Sequence, residues 1–262
     1  MNNIHKTAII HDGAKIHPSV TIGAYSIVGS EVSIDEGTTV SSHCVIEGDT
    51  TIGKNNRIFP FSVLGTIPQD LKYDGEKTQL IIGNNNTIRE HTLINTGTAG
   101  GGYKTVVGNN CLIMGHVHLG HDCILKDNIV IANSTAVAGH VEIDNNVVVG
   151  GLSAIHQFCK IGEHSMIGGG SILVQDIPPY CICEGNRATL RALNINGLRR
   201  RFERSDINEI KKAYKDIFNS NEAISDSANR LLEESSNEYV IKLASFVKNT
   251  KRGIPFIRKQ NG

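Results

Sequence analysis

The sequence predicts a mainly β protein, a solenoid of triangular coils of parallel strands, followed by a small α-helical domain. Three observations carry this: a six-residue apolar repeat, small residues at one further place of each repeat, and the end of the count before a segment with helical spacing. Ile, Val or Leu recurs every sixth residue from Ile4 to Leu64, again at Ile82, Ile88 and Ile94, and again from Val107 to Leu173. All 26 of these positions are aliphatic, and a fixed period of this kind marks stacked repeats.

Place five of each hexad is small or β-branched: Ala8, Ala14, Val20, Ser26, Val32, Thr38, Cys44 and Thr50, and later Cys111, Val117, Cys123, Thr135, Val141 and Ser153. Places one and five therefore point inward. Gly13, Gly37, Gly48, Asn56, Asn85, Asn110 and Asn146 are expected at corners, where a positive φ suits Gly and Asn. A hexad is one short strand plus one corner, and three hexads close an 18-residue coil. Successive coils then pair about 4.8 Å apart.

Composition agrees. The 262 residues include no Trp, 13 Phe plus Tyr and 27 Gly, so the core must be aliphatic. The net charge of zero gives no bias toward nucleic acid. It conceals a split, with −7 over residues 1–186 and +7 over 187–262. No apolar run approaches a membrane span, and MNNIHKTAIIHDG lacks a signal-peptide layout. A cytoplasmic location with six reduced Cys is expected. Cys44, Cys111, Cys123 and Cys159 fall at inward place five and read as small apolar residues.

Two insertions, about 65–81 and 99–106, interrupt the coils of the 1–186 domain. The first carries Gln69, Asp70, Lys72 and Tyr73, a polar set dense enough to predict function. The count ends at Pro178-Pro179, and 187–262 is predicted to be helical. Residues 206–218 place Ile207, Ile210, Ala213, Tyr214 and Ile217 on one stripe, with Ser205 as a candidate N-cap. NRLLEE and NEYVIKLASFVKN read as two further helices.

The densest histidine group is GHVHLGHDC, holding His116, His118, His121 and Asp122. Eighteen residues beyond His121 is Gly139, beside His140, and eighteen further is Gln157, beside His156. One corner column on three coils should therefore hold His121, Gly139 and Gln157. A histidine beside a carboxylate can act as general base, and a glycine N–H can meet a developing oxyanion. No nucleophile motif appears, which favours direct attack by an acceptor over a covalent enzyme intermediate.

In its hexads the chain resembles the hexapeptide-repeat acyltransferases, which implies a left-handed parallel β-helix. HLGHDC, AGH at 138–140, GGLSAIHQF at 150–158, QDLKY at 69–73 and NINGLRRR at 194–201 narrow the match. With these it is similar, over nearly its whole length, to the family of UDP-N-acetylglucosamine O-acyltransferases that begin lipid A synthesis. The resemblance implies transfer of an (R)-3-hydroxyacyl chain from acyl carrier protein to the 3-position of the UDP-sugar, by a homotrimer with active sites between neighbouring β-helices and no cofactor. It implies His121 as base, Asp122 as its orienting partner and Gly139 as oxyanion donor. It assigns substrate binding to Gln69, Asp70, Lys72, His118, His140, His156, Gln157, Asn194, Arg200 and Arg201, and acyl-length selection to Gly169. Departures are Asn95-Thr96, where well-known members carry His-Arg, and Asn196 and Arg187 in the tail. Some relatives acylate a 3-amino sugar. The alternatives are another hexapeptide transferase, N-acylating or acetyl-CoA-dependent, and a metal enzyme like the γ-class carbonic anhydrases, prompted by H-x-H-x-x-H. A structural β-solenoid is disfavoured because no repeated Thr face exists.

Overall fold

A computed structural model describes residues 3–256. Strands of mostly two residues stack into three parallel sheets, one per side of a triangular coil. The first sheet runs from Ile9–Ile10 to Ile172–Leu173, the second from Lys15–Ile16 to Lys160–Ile161, and the third from Thr21–Ile22 to Thr189–Leu193. Paired residues are 18 apart, as in Ile9 with Ile27 and Lys15 with Ser33. At the insertions the spacing becomes 30 (Val63 with Leu93) and 25 (Leu93 with His118), after which it returns to 18. The extra residues leave the coil with only a local register shift, between Leu64 and Thr66 where the first insertion departs. Gln79–Ile82 and Lys104–Val107, counted above with the insertions, are strands in register with Asp49–Ile52.

Places one and five form the core. Val28, Ile46, Leu64, Ile94, Leu119 and Val137 are fully buried, and so are place-five Cys44, Thr38 and Ser26. Polar residues are tolerated there because their hydroxyls reach corner carbonyls: Thr38 Oγ1 donates to Gly53 O (2.7 Å) and Ser171 Oγ to Gly168 O (2.6 Å). Asn56 is not a corner residue. It stands at place five and is buried, its Nδ2 donating to the Gly53 and Gly83 carbonyls at 2.8 Å. The corner belongs to Asn55, with φ 55°. All six thiols are free and buried. Burial pushes Cys44, Cys111 and Cys159 up to about 11, which leaves them unreactive.

Corners are not confined to Gly and Asn. Tyr25, His43, Phe61, His91 and His116 all take φ near 60°. Their rings stack up one edge with centroids 5.2, 5.1, 5.0 and 4.7 Å apart. The coil spacing matches ring stacking, so contact with the next coil offsets the cost of the left-handed conformation.

The sheet continues past residue 186: Thr189–Leu193 pairs antiparallel with Cys181–Glu184. Four helices follow, α1 (Ile195–Leu198), α2 (Arg204–Phe218), α3 (Ile224–Glu234) and α4 (Glu238–Asn249). The stripe Ile207, Ile210, Ala213 and Ile217 is buried, with Tyr214 packed at its edge. Ser205 is not the cap: α2 starts one residue earlier, with Glu203 at the N-cap position making no side-chain cap bond. Asn237 caps α4, accepting from the Tyr239 and Val240 amides. Tyr180 joins helices to β-helix, fully buried, its hydroxyl donating to Glu163 (2.7 Å) and its ring against Phe202 and Tyr239. Among the described residues no helix is long and apolar enough to cross a membrane.

Candidate active site

The predicted column forms. His121 and Gly139 are stacked so closely that a Cβ on Gly139 would lie 2.5 Å from the His121 ring. The column is tied by backbone bonds, His140 N to His121 O (2.9 Å) and Phe158 N to Gly139 O (3.1 Å). Asp122 takes the left-handed corner conformation, φ 60°. That turn brings its carboxylate back beside its neighbour, and His121 Nδ1 lies 2.8 Å from Asp122 Oδ2. The carboxylate is buried, 3% exposed as a residue. It also accepts from the Thr98 amide (2.8 Å) and the Thr98 hydroxyl (2.6 Å). Gly101, in the single turn Ala99–Gly101 of the second insertion, packs directly on it, and a Cβ there would overlap the carboxylate.

Two consequences follow for the imidazole. A carboxylate accepts hydrogen bonds, so Nδ1 carries the proton and Nε2 is left with its lone pair. Nε2 faces the first insertion, 3.9 Å from Asp70 Oδ2. The Gly139 N–H donates to no group among the described residues, so it is available beside the same ring.

From this column a groove of about 420 Å³ runs along the first sheet. His118, His121, Gly139, His156, Gln157 and Gln69 line it. Its floor is apolar, made by Ala136, Ala154, Ile172 and Val174, and the last two are about half exposed. Outward places of consecutive coils fall in line, so small residues at 136 and 154 cut the groove and larger ones at 172 and 174 bound it. Burial holds His118 below the ordinary histidine value, with the backbone at Leu93, as an acceptor, opposing. Burial likewise lowers His140, against the pull of Asp122.

The other predicted residues divide. Lys72 donates its amide to Asp70 Oδ1 (3.0 Å). His140 packs edge-on against His121 (4.9 Å, 89°) and flat on Phe158 (4.4 Å). It lines the cleft on the far side of the corner, with Asp122, Phe158 and Arg252. Gly169, Asn194, Arg200 and Arg201 do not line the groove of a single chain. Asn194 caps α1, accepting from Gly197 N (3.1 Å) and donating to His164 O (2.9 Å). His116 belongs to the ring stack on another corner. Asn95 lines the groove, its amide donating to Ile67 O (2.9 Å) and Thr66 Oγ1 (3.1 Å), while Thr96 pairs with Thr78 (2.9 Å). These two residues close the base of the first insertion.

Sequence reading missed Thr98, Gly101 and Arg252. Thr98 carried one signal, since it stands at place five counted from Ile94 directly before a glycine run.

A family model described as UDP N-acetylglucosamine O-acyltransferase, domain 2, matches residues 176–255. An acyl-[acyl-carrier-protein]–UDP-N-acetylglucosamine O-acyltransferase of Sulfurovum sp. is 59% identical over 259 residues, covering 99% of this chain and 100% of that protein. The chain belongs to the UDP-N-acetylglucosamine O-acyltransferase family. Its member from Helicobacter pylori is 45% identical over 98% of this chain and 95% of its own length. Among solved structures of the family, the Campylobacter jejuni acyltransferase superposes with TM-score 0.94 at 44% identity, covering 97% of this chain and all of that one. The Arabidopsis acyltransferase gives 0.84 at 34%, covering 96% and 99%. The three-sheet β-helix and helical tail are thus the fold of the family.

Proposed function

We propose that this chain transfers an (R)-3-hydroxyacyl group from acyl carrier protein to the 3-position of UDP-N-acetylglucosamine, or of its 3-amino analogue, as the first step of lipid A biosynthesis. The observation that carries the reading is the His121 Nδ1–Asp122 Oδ2 bond at the head of an apolar groove. His121 Nε2 takes the proton of the sugar 3-hydroxyl as its oxygen attacks the thioester carbonyl carbon. The Gly139 N–H meets the oxyanion. The C–S bond then breaks, and the imidazolium returns its proton to the departing thiolate. The products are the 3-O-acyl sugar and the carrier thiol. Asp122, buried and held by Thr98, keeps the ring oriented and balances its charge. The acyl chain lies along Ala136, Ala154 and Ile172 toward Gly169. In a homotrimer Asn194, Arg200 and Arg201 serve a neighbour's groove, and the basic run from Arg199 to Arg204, exposed at each arginine, docks the acidic carrier.

The test is to incubate the protein with hydroxyacyl carrier proteins of several lengths and both UDP-sugars and to weigh the products. One acylated sugar is expected, and its formation should fall roughly 10²–10⁴-fold in His121→Ala. No acylated sugar, or near-normal turnover in the folded variant, overturns the reading.

One observation favours a second reading. His121, Asp122 and His140 each offer a ligand atom, all within 4.8 Å of one another, a set that could hold a metal. Against it, Asp122 already takes two donors from Thr98 besides His121. Activity that survives exhaustive chelation supports the base mechanism. Loss on chelation with rescue by zinc supports the metal.

A further inference from the structure

The segment after α4 returns to the last coil and is latched to one buried side chain. Asp176, 1% exposed, takes the Lys160 amide on Oδ1 (2.8 Å). Its Oδ2 takes the Thr250 hydroxyl (2.7 Å) and the Arg252 amide (3.4 Å). Its own N–H donates to Gly253 O (2.9 Å), and Gln175 Nε2 donates to Arg252 O (3.3 Å). The strap therefore has one register on the coil, and the Arg252 side chain is aimed by it. Arg252 Nε donates to Val174 O (3.0 Å), which fixes the guanidinium plane in the cleft on the far side of the corner, behind residues that bound the groove. Its Nη2 then lies 3.3 Å from His156 Nδ1.

His156 Nδ1 has a second neighbour, the Gln157 carbonyl oxygen, at 3.2 Å. The two make opposite demands. A guanidinium can only donate, so it needs a bare Nδ1. A carbonyl can only accept, so it needs Nδ1–H. One nitrogen of a neutral imidazole cannot satisfy both. The guanidinium is the charged partner, and hydrogen bonds with an ionised donor are roughly twice as strong as neutral ones. Nδ1 is then bare and the proton resides on Nε2.

We infer that Arg252 is a positioning residue that sets the tautomer of His156, so that His156 presents an Nε2–H donor to the groove. The inference rests on the acyltransferase reading for its use, since His156 there engages an acceptor oxygen of substrate. Without Arg252, the Gln157 carbonyl draws the proton to Nδ1, and Nε2 turns from donor to acceptor. Two imidazoles of one site thereby hold opposite tautomers. His121 is protonated on Nδ1 by its carboxylate and acts as a base at Nε2. His156 is protonated on Nε2 through its guanidinium and acts as a donor.

The tautomer is readable without substrate, which separates failure of this inference from failure of the proposed reaction. The full-length protein is labelled with ring-¹⁵N histidine, and long-range proton–nitrogen correlations are recorded at a pH where His156 is neutral, His156→Gln giving the assignment. Wild type should show a pyridine-type Nδ1 and a pyrrole-type Nε2. In Arg252→Met the two should exchange; Arg252→Lys, which keeps a charged donor, should retain the wild-type pattern. Arg252→Gln, whose amide falls short of Nδ1, should exchange as Met does and serves if Arg252→Met fails to fold. In steady-state assays Arg252→Met should raise the KM of one substrate about tenfold, with kcat within about threefold, and Arg252→Lys should restore most of it. A wild-type tautomer in the folded Met or Gln variant overturns the inference. So does a KM defect that Lys fails to rescue.

Discussion

Gly139→Ala isolates what the close approach of two coils does for His121. The added Cβ would stand 2.5 Å from the ring, where ordinary contact begins at 3.4 Å. The ring must retreat by about 1 Å, a displacement on the scale that costs roughly 10²-fold in rate when it falls on a catalytic group. Its carboxylate cannot follow. Asp122 is held by both Thr98 donors, and Gly101 closes its other side. The 2.8 Å Nδ1–Oδ2 bond therefore opens, while the residue-139 N–H is still present. We expect kcat to fall about 100-fold with little change in the sugar KM, because the missing interaction is one made in the transition state. The assay is initial-rate kinetics with hydroxyacyl carrier protein, beside circular dichroism and thermal unfolding to establish the fold. Gly100→Ala is the control, since the nearest atom to its Cβ is Thr98 Oγ1 at 3.8 Å. A folded Gly139→Ala enzyme with kcat within a few-fold of wild type would refute the claim that the ring is wedged in place.

Four further outcomes can be measured. Thr98→Val removes a 2.6 Å donor to Asp122; a hydrogen bond to a charged group is worth about 1.5–3 kcal/mol, so kcat should drop about 10- to 100-fold, and an intact kcat shows that Thr98 does not support the base. Gly169→Met adds apolar bulk at the proposed end of the acyl path, where overpacking costs about 1–3 kcal/mol; preference should move to shorter acyl carriers, and an unchanged length profile places the ruler elsewhere. Arg199→Glu with Arg204→Glu should raise the carrier-protein KM and blunt its salt dependence far more than the UDP-sugar KM; equal effects on both substrates mean the run is not the dock. Burial holds His118, His140 and His164 below the ordinary value, so below about pH 6.5 the unfolded chain binds protons that the folded chain refuses. Stability should be full above that pH and decline as pH falls toward the folded values, with His164→Gln flattening the fall; a Tm that stays level from pH 7.5 to 5.5 contradicts it.

The β-helix and much of its active edge were legible in the residues themselves. A two-residue strand and a corner use only local information, so a period of six fixes which side chains enter the core. A coil of 18 then places His121 over Gly139 by counting alone. The same local rule explains what was misread. Asn56 and Ser205 were placed by residue type; Asn56 lies one position from the residue that takes the corner, and Ser205 two from the one at the cap position. Tertiary structure decided what lies off the lattice. Gly101 comes from an insertion whose path no repeat dictates, and together with Thr98, at place five directly before that insertion, it settles how firmly Asp122 is held. Asp70 approaches His121 only because the other insertion folds across the groove. Arg252 reaches His156 from 96 residues away because Asp176 latches the returning strap, a contact with no periodic trace. Periodicity records contacts between equivalent residues of neighbouring coils, whereas the groups that orient the two imidazoles meet through chain excursions of unequal length.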